Sequence, residues 1–550
     1  MTKLTSCVVK IIANNVSIDW LKPYKIDDDS ESIGTGFFID HEGYILTCAH
    51  VVIDAIKLWI TIPSIGKERI DVEIVGICDN SDLALLKTVA FKPENYLKLG
   101  NSDFIESGKK VYAIGYPLGQ DKLKKTAGII SGFQDGIFQT DTPINPGNSG
   151  GPLCDEEFNV IGINTSKMMF ADNVGYSTPI LHFKILENEM RKNTGKMIYK
   201  PNLFAKFNNT NSDLIEYYGK EDICKSGFFI NKIHPKSCLK IAGLKDGDII
   251  CSFGKDNEIY EVDNFGECVV PWYNEKIHIM DIMRRFTIND KINITYWRNN
   301  AYKLQTVVVD LSIMEIPSIR ILYKKYDKID YVIFSGMVIM QLCANHLQQL
   351  FNMDISKKMM DYLSMYAHLK NRYEKVLLIT QVFPGSEIGK IEAITSGDVI
   401  RCVNNVKVCT LDDLRKALLQ MRHSNGKYFF KVQTILNTVT ILNIQKILDQ
   451  EEFLSENFKY KIDPINFKIQ KKYNLNFNNK SVQFADFNEF DTMQDSTTHH
   501  GLQDSTTHHG MQDNESNKSE NFINRFRFTF NDMLSDFDNR NKKGKKCFLN

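Results

Sequence analysis

An all-β opening domain, two α+β modules and a disordered polar tail make up the fold class predicted here, on three observations. Short β-branched runs punctuated by glycine fill the start of the chain, among them GTGFFID at 34–40, YILTCAHVV at 44–52 and DVEIVGIC at 71–78. Runs of this kind read as a barrel or sandwich of short strands. The pattern then restarts twice, at 226–254 and 376–419, each time with an apolar strand, a helical stretch and a GDII or GDVI turn. Beyond about residue 450 the apolar periodicity gives way to Asn-rich polar sequence.

At 550 residues the chain exceeds what one core organises, so several domains are expected. Lys plus Arg and Asp plus Glu both number 67, which argues against nucleic acid as a general partner. The start, MTKLTSCVVKIIANNVSIDW, lacks the uninterrupted apolar run of a signal peptide, and no stretch reaches the roughly 18 apolar residues of a membrane span. The expectation is a soluble intracellular protein, cytoplasmic or nuclear. Twelve cysteines occur without a CxxC pair or zinc spacing, so free thiols are expected, with no metal and no cofactor.

The stretch TPINPGNSGGPL at 142–153 carries the chemistry. A serine hydroxyl attacks a carbonyl usefully only where backbone N–H groups face the developing oxyanion, and backbone that crowded needs glycine. Ser149 is the nucleophile of this reading, with the backbone of Gly147, Asn148 and Ser149 as oxyanion donors. His50 closes the run LTCAHVV, and Asp82 opens DLALLK after the turn signal DNS. An imidazole takes the serine proton and a buried carboxylate holds the imidazole in the right tautomer. The order His, Asp, Ser is that of chymotrypsin-like enzymes.

In order along the chain, GTGFFI, LTCAHVV, DLALLK, AIGYPLG, TAGIISG, FQTDTPINPGNSGGPL, VIGINTS and VGYSTPI resemble the motif series of the HtrA/Deg serine proteases. That resemblance implies a double-barrel, chymotrypsin-like protease domain over residues 1–195, with catalytic His50, Asp82 and Ser149. It implies that the strand at 160–164, with Gly162, Ile163 and Asn164, pairs with the substrate backbone. Ile144 and Met168 would line an apolar primary pocket, giving cleavage after medium aliphatic residues and not after Lys or Arg. Pancreatic-type activation needs an aspartate before the serine, and Asn148 stands there instead. The loop that senses the neighbouring domain in this family shrinks here to GFQDGIF at 132–138, which places the usual relay in doubt.

The segment 226–254 resembles the core of a PDZ domain, assigned to residues 196–315. Gly227, Phe228 and Phe229 are placed at its carboxylate loop, to bind peptide C-termini. A divergent PDZ-like copy is assigned to 316–450, with FSGMVIMQL at 334–342 as its glycine-led strand and a helical insertion at 345–374 that would block its groove. The layout resembles the plant-type Deg proteases with two PDZ domains. It implies polypeptide substrates and a homotrimer or multiple of trimers, with Trp20 and Tyr24 as candidate trimer aromatics. A PDZ-based binding or chaperone protein with a latent protease is the alternative. The tail, 451–550, contains the repeat QDSTTHHG and ends in KKGKKCFLN, so a membrane partner enters only through prenylation of Cys547.

Overall fold

The computed structural model describes residues 2–25, 29–167, 174–217, 225–298, 301, 303–313, 315–351 and 357–475. The first domain is two closed six-stranded barrels. β1 (Val8–Val16), β2 (Asp29–Phe38), β3 (Tyr44–Thr47), β4 (Ala55–Thr61), β5 (Ile70–Cys78) and β6 (Leu83–Thr88) pair in the ring β1-β2-β3-β6-β5-β4, back to β1. β7 (Lys110–Gly115), β8 (Lys124–Gln134), β9 (Ile137–Thr140), β10 (Pro152–Cys154), β11 (Val160–Lys167) and β12 (Gly175–Pro179) close the second ring in the order β10-β11-β12-β9-β8-β7. Closure removes sheet edges, and the alternating apolar residues of every strand then fill an interior. The Ile, Val, Leu and Phe residues that alternate in the sequence are these interiors: Ile11, Phe37, Leu46, Ile60 and Leu85 are fully buried in the first, Val111 and Leu153 in the second.

Helix Ile180–Lys192 follows β12 and buries Phe183, Leu186 and Met190 against the first barrel. At β5 a Cβ on Gly76 would lie 2.6 Å from that of Met190, so glycine is what lets helix and strand touch. The domain runs slightly past 195, because Lys196–Met197 adds to β5 in parallel and the Ile198 N–H donates to the Ile77 carbonyl.

The second domain is a sheet in the order Ala205–Asn208, Phe228–Ile233, Ile249–Lys255, Lys291–Trp297, Gln305–Asp310, with Glu258–Glu261 paired to Ile249–Lys255. A short helix, Ile279–Ile282, covers one end. The domain seats directly on the two barrels. Arg285 makes a fork to Asp103 at 2.8 and 3.1 Å and stacks 3.8 Å over Trp272, whose carbonyl accepts from the Phe104 N–H. The hairpin that the sequence marks as a shortened sensor reaches this domain despite its length. Phe133 meets Tyr273 at 5.3 Å, and at the tip Gly136 (φ 74°) lies so close to Arg284 that a Cβ would be 2.4 Å from its Cδ. A short loop suffices because the second domain sits close.

The third domain extends well past residue 450, against the expected boundary. Its sheet runs Tyr331–Phe334, Met337–Gln341, Leu377–Val382, Val399–Val403, Lys427–Thr434, Arg422–Ser424, and helices Ile444–Phe458 and Pro464–Tyr473 complete its core. Asn443 and Asp463 cap these two helices through their side chains, and Pro464 opens the second. The insertion forms two short helices, Ala344–Leu350 and Lys357–Ser364, as the apolar spacing suggests. It does not block the groove. The occupant is the preceding strand Tyr331–Phe334, which pairs along Met337–Gln341 through the turn Ser335–Gly336 (φ 58° and 79°).

Trp20 and Tyr24, the candidate trimer aromatics, are engaged inside the chain. Trp20 packs edge-on against His346, and Tyr24 is 9% exposed among Phe383 and Tyr460, donating to Gln381 at 2.8 Å. The QDSTTHHG repeat and Cys547 lie outside the described residues.

Glu451 is fully buried in this third domain, and burial pushes its carboxyl from the usual 4.5 up to about 7. One oxygen accepts from Tyr460 at 3.0 Å and the other has no partner among the described residues. The folded state therefore keeps the proton up to about pH 7, whereas the unfolded chain releases it near 4.5. Stability is favoured below that window and declines as pH rises through it, by roughly 3 kcal/mol. Urea unfolding of the third-domain transition at pH 5 and pH 8 is expected to show this loss, and Glu451→Gln to flatten it.

Candidate active site

His50 lies on the one-turn helix Ala49–Val52 between β3 and β4, and Asp82 ends the short turn Asp79–Ser81 before β6. Asp82 adopts a left-handed backbone (φ 50°), a conformation that Asp tolerates better than most residues. That turn aims its carboxylate at His50. Oδ2 lies 2.8 Å from His50 Nδ1, and Oδ1 accepts the His50 backbone N–H at 2.9 Å. Imidazole and its own main chain are thus fixed by one carboxylate.

Thr165, on β11, donates its Oγ1 to Asp82 Oδ2 at 2.5 Å. The sequence reading missed this residue, although it follows Asn164 inside the quoted motif VIGINTS. It joins the second barrel to the acid of the first. Ser149 Oγ donates to the carbonyl oxygen of the same Thr165 at 3.0 Å, so the hydroxyl is turned to the strand and not to His50.

The turn that holds Ser149 is built on close backbone approach. Gly147 (φ 92°) and Gly150 (φ 86°) take left-handed conformations. A Cβ on Gly150 would stand 2.1 Å from Thr47 Oγ1 and 2.2 Å from the Thr35 carbonyl, and one on Gly151 2.1 Å from the Ile114 carbonyl. Thr35 on β2 organises this contact: its N–H donates to the Ser149 carbonyl at 2.9 Å, its Oγ1 to that of Gly147, and Oγ1 accepts from the Tyr116 N–H.

Three expectations need correction. Asn148 does not present an oxyanion donor, because its N–H is already given to the Asn145 carbonyl at 2.9 Å. Its side chain is buried, with Oδ1 near Gly115. Gly162, Ile163 and Asn164 do not offer a free edge to a substrate. Gly162 and Ile163 are paired with Leu153 and Pro152 on one side and with Pro179 and Thr178 on the other, while Asn164 exchanges bonds with Gly150, Gly151 and Ser177. β10 ends there, so the open edge beside Ser149 begins at Thr165. Gly227, Phe228 and Phe229 likewise sit in or beside an interior strand: Phe228–Ile233 is covered by Ala205–Asn208 and Ile249–Lys255, and Phe228 stacks on Phe207 at 5.2 Å. The outer edge of that sheet is Ala205–Asn208. Ile144 is buried against Gly175, and Met168 lies outside the described residues.

Residues 34–163 match the family model described as a trypsin-like peptidase domain. A DegP-like periplasmic serine endoprotease of Pseudomonas fluorescens is 32% identical over 43% of this chain and 50% of its own length. A second DegP-like endoprotease, from Chlamydia pneumoniae, is 28% identical over 71% of this chain and 72% of its own. Over the aligned region the chain is similar to DegP-like serine endoproteases. A Do-like protease of Arabidopsis thaliana is similar as well, 35% identical over 40% of this chain and 56% of that one. The chain spans about half the length of the first curated relatives it matches. Among solved structures, an HtrA-type protease AlgW with a decapeptide is 23% identical, covers 56% of this chain and 96% of its own, and superposes with a TM-score of 0.43. The bacterial relatives are named periplasmic, which overturns the intracellular location expected from the sequence. Among the described residues no helix is long and apolar enough to cross a membrane.

Two substitutions test the site. Gly150→Ala puts a side chain into backbone at a left-handed φ, and is expected to lower stability by about 2 kcal/mol or more and to abolish labelling of Ser149 by a fluorophosphonate. Thr165→Val keeps the shape but removes a hydrogen bond to a charged partner, so labelling is expected to slow about ten- to hundredfold while thermal stability changes little.

Proposed function

We propose that this chain is an ATP-independent serine endopeptidase that cleaves unfolded or exposed polypeptide segments through an acyl-enzyme. The observation that carries this reading is the line Thr165–Asp82–His50 beside a glycine-built turn bearing Ser149. His50 Nε2 takes the Ser149 proton once Oγ swings from the Thr165 carbonyl, Asp82 stabilises the imidazolium, and the N–H groups of Gly147 and Ser149 receive the oxyanion. The substrate chain adds along the edge that starts at Thr165. Ile144 supports an apolar pocket and cleavage after Val, Ile or Ala.

The first PDZ-like module reads peptide C-termini, in this proposal, along the free edge of Ala205–Asn208. The third module is an assembly element, its groove being filled by its own strand. A trimer, or a multiple of one, would need surfaces other than Trp20 and Tyr24. The latent-protease alternative draws support from one observation, the Ser149 hydroxyl bonded to Thr165.

Incubation of unfolded casein with the wild-type protein and with Ser149→Ala, followed by mass spectrometry of the product termini, decides between them. Cuts by the wild type alone, after aliphatic residues, are expected. Cuts after Lys or Arg would overturn the pocket, and no cutting by either protein would favour latency.

A further inference from the structure

We infer that Cys48, His50 and Asp82 together form an inhibitory site for a thiophilic divalent cation of the Zn²⁺ class. One ligand atom from each of the three lies within 4.8 Å of the others. Cys48 lies between β3 and the one-turn helix, two residues before His50, is wholly buried, and has its Sγ 3.3 Å from the Asn164 carbonyl. His50 Nδ1 and Asp82 Oδ2, at 2.8 Å, already have nearly the spacing of two ligands on one ion, so only the thiol needs to close in. The His50 and Asp82 side chains keep 12% and 23% exposure, which leaves a way in from the cleft.

The donor set selects the ion. One sulfur, one imidazole nitrogen and one carboxylate oxygen suit Zn²⁺ or Cd²⁺, whereas Mg²⁺ and Ca²⁺ prefer all-oxygen ligands. Charge also closes: a dication with one thiolate and one carboxylate is neutral. Without metal, burial first and the Asp82 charge second hold the Cys48 thiol protonated. With a cation bound, that charge balance reverses and the thiol ionises.

Inhibition follows from the tautomer. Binding replaces the thiol proton, which leaves to solvent, and the Nδ1 proton, which moves to Nε2. One proton is released per ion and His50 stays neutral. Its Nε2 then carries a hydrogen and has no lone pair for the Ser149 proton. The blockade thus rests on the proposed role of His50 as base, but the metal site itself does not.

Two readouts separate these. Titration of the full chain with Co²⁺ is expected to give a thiolate-to-metal charge-transfer band in the near ultraviolet that Cys48→Ala lacks. Casein cleavage, each protein measured against its own uninhibited rate, is expected to be inhibited by Zn²⁺ and restored by EDTA. The Zn²⁺ concentration for half inhibition should rise roughly tenfold or more in Cys48→Ala. Absence of the band in the wild type, or its persistence in Cys48→Ala, overturns the site. A band present in the wild type and absent from Cys48→Ala, with equal Zn²⁺ sensitivity of the two proteins, overturns the inhibitory role.

Discussion

The Asp82 carboxylate is the group on which the two barrels converge. It receives the main chain and imidazole of His50 from its own barrel and the hydroxyl of Thr165 from the other. A carboxylate in a partly dry cleft requires such donors, since an unpaired buried charge is costly. The requirement fixes the mutual position of the barrels as well as the chemistry. If the second barrel shifted by an ångström, Asp82 would lose a donor and the Thr35 contact to the turn bearing Ser149 would open.

Much of this was legible in the sequence where one residue type has one physical reason to be present. Glycines at 147, 150 and 151 mark backbone that touches other backbone, and the structure places carbonyls and hydroxyls where their side chains would go. His50 and Asp82 were legible because each ends a strand pattern next to a turn signal. The errors have a common origin: alternation reveals that a strand exists but not which of its edges is covered. Gly162–Asn164 was read as a strand open to substrate and Phe228–Phe229 as a carboxylate loop, and both lie in strands with neighbours on each side. Thr165 was missed for a related reason, since a threonine in a strand has a β-propensity explanation that hides its hydrogen bond. The boundary near 450 failed because helices Ile444–Phe458 and Pro464–Tyr473 carry many charged residues on their outer faces and look polar in bulk.

The domains are joined by directional contacts. Arg285 meets both Asp103 and Trp272, so one side chain combines a charge pair with a stacked face, an arrangement lysine does not reproduce. The segment before β2 works differently: Tyr24 and its aromatic neighbours fasten the start of the chain to the last domain by apolar burial with one hydrogen bond. The protease domain is therefore gripped from two sides, polar on one and apolar on the other, and the two contacts respond oppositely to salt.

The self-paired strand of the third domain has a kinetic meaning. Tyr331–Phe334 lies along Met337–Gln341, and Arg415 of helix Leu411–Leu418 grips Asp330 at 2.7 and 2.9 Å beside it. A tethered strand presents itself at an effective concentration on the order of millimolar. A free peptide of ordinary micromolar abundance is outcompeted before side-chain preferences matter. The same hairpin covers the backbone donors and acceptors along Met337–Gln341 and makes the four-residue strand Tyr331–Phe334 the sheet's edge. Any contact this module makes with another chain therefore has to use faces other than the edge of Met337–Gln341.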